Sequence, residues 1–124
     1  KRFAIKLTSA RLAKLALAIT AAWPSAGQAE ADGTGLVKRA MHLLRDNCIR
    51  CHNAKKNKGD LNLAGRALAL KGGGEGPAFV TGKAAESHII QFIQPNSDPH
   101  MPPKKQLDDE QIAALGQWID SGAE

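Results

Sequence analysis

Two thiols and an imidazole stand within one short run, Cys48-Ile49-Arg50-Cys51-His52. Thiols three residues apart on a helical turn can reach the two vinyl groups of a porphyrin and close thioether bonds, and the next residue then places an imidazole under the iron. The pattern points to one haem c, attached covalently through Cys48 and Cys51, with His52 as the proximal iron ligand. These are the two cysteines of the chain. A disulfide across so short a loop would remove little chain entropy. A thioredoxin-like redox pair needs a βαβ setting that the surrounding sequence lacks. A closed zinc site needs four ligands, and no second Cys/His pair has suitable spacing; His42 and His88 stand alone.

The sixth iron ligand is expected at Met101, inside the stiff Pro99–Pro103 segment. A thioether is a soft donor that favours ferrous iron and raises the reduction potential. His100 is the rival, and its imidazole would give a bis-histidine haem of lower potential. Met41, in contrast, reads as core filling on the apolar face of a helix. A haem-ligating imidazole usually donates its other N–H to a carbonyl. Pro77, in the stiff Gly76-Pro77 step, is the candidate acceptor, although Gly-Pro also simply makes a turn. Lys55, Lys56 and Lys58 follow the attachment site, and Lys104 and Lys105 follow Met101. Should the two loops meet at an exposed haem edge, these lysines would form a positive ring that steers an acidic redox partner. Otherwise they are solvated loop charges.

The elements that must position these groups are short and helical. Leu36 to Asn47 carries apolar residues at helical spacing (Val37, Ala40, Met41, Leu44), after a lead-in over 30–35. A lysine-rich loop runs from Asn53 to Asp60, and Leu61 to Leu70 is weakly helical. Gly72-Gly73-Gly74-Glu75-Gly76-Pro77 must be loop; with no strand before it and no Lys-Ser/Thr after it, it is neither a dinucleotide nor a phosphate motif. A second helix is expected over Ala84 to Gln94. The last helix starts at Asp108, where Gln111 completes a capping-box pair, and stops at Gly122. No run alternates as strands do, so the fold expected is all-α, wrapped around one haem.

The formal net charge of +5 is carried entirely by Lys1, Arg2, Lys6, Arg11 and Lys14. Residues 30–124 are formally neutral, with 12 basic and 12 acidic side chains, which removes the case for a nucleic-acid partner. The basic start, the apolar run Leu15–Trp23 and the small residues before Ala29 read as a signal peptide over 1–29. The apolar run is shorter than the ~20 residues a bilayer span requires. A monohaem domain over 30–124, exported to the periplasm or beyond, monomeric and without a membrane span after cleavage, is therefore expected. Its large aromatics are only Phe79, Phe92 and Trp118, so something other than side chains is expected to fill the middle of so small a domain.

With these residues in view, 36–123 resembles a class I cytochrome c, and most closely the Planctomycete-type cytochrome c domain. Three blocks carry the likeness: Asn47 to His52; Gly72 to Ala78; and Met101-Pro102-Pro103 followed by Leu107 to Ile112 and Trp118 to Ala123. The resemblance implies crossed first and last helices, Gly116 giving close approach to Ala40 or Met41, and histidine–methionine ligation by His52 and Met101. Such domains often front larger proteins; here the chain ends just past the last helix, which reads as a stand-alone carrier or a truncated piece. Single-electron transfer without catalysis is the function expected. A peroxidase or a sensor would need a labile sixth ligand, and a peroxidase distal acid–base groups as well.

Overall fold

The computed structural model describes residues 33–124; the expected signal peptide at 1–29 lies outside the described residues. Among the described residues four α-helices form the frame: α1 Gly33–Asn47, α2 Arg66–Lys71, α3 His88–Phe92 and α4 Asp109–Asp120. Short 3-10 turns occupy Lys58–Asp60 and Ala84–Glu86. Among the described residues there are isolated β-bridges but no strands, and the fold is all-α, as the patterning implies. No helix among the described residues is long and apolar enough to cross a membrane.

α1 reaches back as far as Gly33, earlier than its apolar pattern suggests. The added turn holds no buried side chain, so it is invisible to periodicity, and its two glycines cost only about 1 kcal/mol each relative to alanine. Ala40 and Leu44 are buried, Leu36, Val37 and Leu43 pack beside them, and Cys48 continues the same stripe. Met41 is not core: it is 40% exposed. The helix is rotated so that the 36–40–44–48 line faces inward, and position 41 falls just past its edge.

α1 packs on α4, which contributes Ala114, Leu115, Trp118 and Ile119 to the core. Leu115 and Ile119 are completely buried, each worth about 1.5–3 kcal/mol of transfer free energy. The Asp108 carboxylate accepts from the Gln111 amide at 2.8 Å, while the Gln111 side chain accepts from the Asp108 amide at 3.1 Å. That closes the expected capping box. Trp118 meets Phe79 edge to face at 5.4 Å. At the other end Gly122 takes a positive φ of 112°, and Arg66 of α2 donates to the carbonyls of Gly122 and Ala123, tying the last residues down. Gly116 faces Ala84 rather than α1, which corrects the expected approach to Ala40 or Met41.

The expected helix over Ala84 to Gln94 is broken at Ser87. Its completely buried hydroxyl donates to the Lys83 carbonyl at 2.8 Å and accepts from the Val80 amide at 2.9 Å. A serine whose side chain is spent on the preceding turn competes with the helix backbone. A 3-10 turn and the short α3 result.

Candidate haem site

The attachment segment grows directly out of α1. The Cys48 and Ile49 amides both donate to the Leu44 carbonyl at 2.9 Å, and those of Cys51 and His52 both donate to the Cys48 carbonyl at 3.1 Å. Residues 48–52 thus form one more tight turn on the helix end, with both thiols free, Cys48 half-buried and Cys51 exposed. Burial, with the neighbouring Cys51 thiol adding to it, pushes Cys48 up to about 11, so it is a neutral thiol at physiological pH.

The loop beyond is organised by Asn53. Its side-chain oxygen accepts from the amides of Lys55 and Lys56, and its side-chain nitrogen donates to the Ile49 carbonyl at 2.6 Å. This Asx-type closure sends the chain back to the Lys58–Asp60 turn, where the Lys58 amide donates to the Cys51 carbonyl. The Lys58 carbonyl then lies 2.9 Å from His52 Nδ1. A carbonyl can only accept, so Nδ1 carries the proton and the lone pair of the ring is on Nε2. In this structure the Nδ1 partner is the Lys58 carbonyl, where Pro77 was the expected acceptor; the chain reaches Lys58 by its own short return. A backbone carbonyl in a lysine-rich loop has no signature of its own in the sequence.

Met101 is half-buried against the core, and its amide donates to the Phe92 carbonyl at the end of α3 at 2.8 Å. His100 Nε2 lies 2.8 Å from the Gln106 side-chain oxygen. The Gln106 side-chain nitrogen donates in turn to the carbonyls of Ile93 and Leu107. Lys105 Nζ donates to Asn47 Oδ1 at 3.0 Å, which brings the methionine segment to the residue preceding Cys48. The five lysines considered for a positive ring are all exposed. Gln106 is the anchoring residue that sequence reading missed, since a lone glutamine beside lysines carries no pattern.

These donors fit a c-type haem: two free thiols on one turn, an imidazole whose protonated Nδ1 is held by a carbonyl, and a half-buried thioether. Among the described residues no group of three or more His, Cys, Asp or Glu side chains could hold a metal ion by itself. No curated protein and no solved structure matches the chain. Residues 48–105 match the family described as Planctomycete cytochrome C. The matched segment opens at Cys48, the first residue of the attachment motif, and takes in the Gly72–Ala78 loop and Met101. The match supports a cytochrome c-type domain across that segment.

Proposed function

We propose that the protein is an exported, monohaem electron carrier, with haem c joined to Cys48 and Cys51 and the iron held between His52 Nε2 and the Met101 thioether. Bound haem supplies one reversible one-electron couple, ferric to ferrous. The observation that carries the reading is the pairing of His52 Nδ1 with the Lys58 carbonyl. It fixes the tautomer, leaves Nε2 as the donor, and raises the basicity of the ring toward a metal. Met101 is preferred to His100 because the His100 ring is already engaged by Gln106, itself anchored at two backbone carbonyls. A soft thioether on one side and a basic imidazole on the other suit an iron that changes charge without changing ligands.

Export rests on the leader-like composition of residues 1–29. The exposed lysines 55, 56, 58, 104 and 105 favour an acidic redox partner, and association with it should weaken as ionic strength rises. Haem staining of a denaturing gel tests the central point, because only covalently attached haem stays on the denatured polypeptide; the mass of the band reports leader removal. A low-spin ferric spectrum with a methionine-to-iron charge-transfer band is expected. A high-spin spectrum with rapid carbon monoxide binding to the ferrous form would replace the carrier by a haem enzyme or sensor.

A further inference from the structure

The glycine-rich loop is not explained by haem attachment, and its contacts lead back to the proximal histidine. Gly73 and Gly76 close a tight turn on each other, each amide donating to the other's carbonyl at 3.0 Å. The turn lies against the Lys58–Asp60 segment: the Gly74 amide donates to the Gly59 carbonyl at 2.8 Å. A Cβ on Gly73 would overlap that same Gly59 carbonyl oxygen and crowd the Leu61 amide at 2.9 Å. Gly59 and Asp60 both take left-handed backbone, with φ of 66° and 59°. Two such residues in succession are uncommon outside glycine and need outside support. Adjacent carbonyls of this one turn thus face two ways, Lys58 toward His52 Nδ1 and Gly59 toward the glycine loop.

We propose that Gly73 is a positioning residue for the proximal ligand: its missing side chain lets the 72–76 loop clamp the 58–60 turn, which keeps the Lys58 carbonyl on His52. The clamp sets how basic the imidazole is, and hence where the reduction potential of the haem lies. Losing the acceptor makes the imidazole a weaker donor to ferric iron, so the potential moves in the positive direction.

The inference rests on the haem reading above. Its test compares three holoprotein variants with the wild type by redox titration and by exchange of the His52 Nδ1 proton in the reduced state. Gly73→Ala drives a methyl into the Gly59 carbonyl. Gly74→Pro deletes the clamping N–H, yet proline is favoured at the second position of such a turn. Gly74→Ala keeps the N–H, and its Cβ would lie an ordinary 3.6 Å from the Gly59 carbonyl oxygen. The first two should shift the potential upward and speed ring-proton exchange about tenfold, as for loss of one hydrogen bond; Gly74→Ala should match the wild type. A Gly74→Pro holoprotein with unchanged potential and exchange, or an equal shift in Gly74→Ala, overturns the inference. If neither disruptive variant retains haem, wild-type exchange decides: the Gly74 amide and the His52 ring proton should open together, and a freely exchanging ring proton beside a protected Gly74 amide overturns it. A colourless wild type would defeat the haem reading instead, so the two failures are distinguishable.

Discussion

The histidine and methionine segments are held by opposite means. Between Cys48 and Asp60 the chain is closed by bonds to near neighbours: Asn53 to Ile49, Lys58 to Cys51, and His52 to Lys58. Between Pro99 and Leu107, three prolines bring no amide donors, and the segment hangs on distant partners: Met101 on Phe92, Gln106 on Ile93, and Lys105 on Asn47. Short-range closure costs little loop entropy, whereas the methionine segment depends on α3 and α1 being in place first. The histidine turn is accordingly closed mainly by local bonds, with the Gly74 amide on the Gly59 carbonyl as a tie from farther along the chain, while the methionine segment takes its order mostly from tertiary packing.

Replacing each ligand in turn breaks the comparison most severely. His52→Ala should abolish the low-spin spectrum altogether. Met101→Ala should leave haem staining at the wild-type level while the charge-transfer band disappears and the ferrous form binds carbon monoxide. Should the band survive in Met101→Ala, the ligand assignment is wrong. Next in size, Gln106→Ala leaves the Ile93 and Leu107 carbonyls without their donor; about 1–3 kcal/mol of stability should be lost in denaturant titration. The same change should weaken the charge-transfer band, since the methionine segment loses its anchor. Asn53→Ala opens the turn after His52 and should cost about 1 kcal/mol, with the band unaffected. An Asn53→Ala variant that disturbed the methionine band would show that the two segments are not independent. Smallest, Lys105→Met removes an exposed tie to Asn47 and should change stability by no more than about 0.5 kcal/mol.

Contrasts in legibility follow the same division. The attachment motif, the helical class and the Asp108–Gln111 capping box are all local, and each was readable because its partners lie within a few residues. The helix over Ala84 to Gln94 misled because its apolar content is helical, while Ser87 spends its hydroxyl on the turn before it. Met41 misled because periodicity locates a stripe only to within about one position, and the neighbouring helix decides which edge is covered.

From residue types and spacing alone came the proposed donor set of thiols, imidazole and thioether, the all-α class, and the ends of the last helix. Only the folded chain decided which carbonyl serves His52, why Gly73 must lack a side chain, and which way Gly116 faces. Side-chain chemistry is written in the sequence letter by letter. Every residue but proline offers the same N–H, and all offer the same C=O, so which of them meet is settled by the path of the backbone through space.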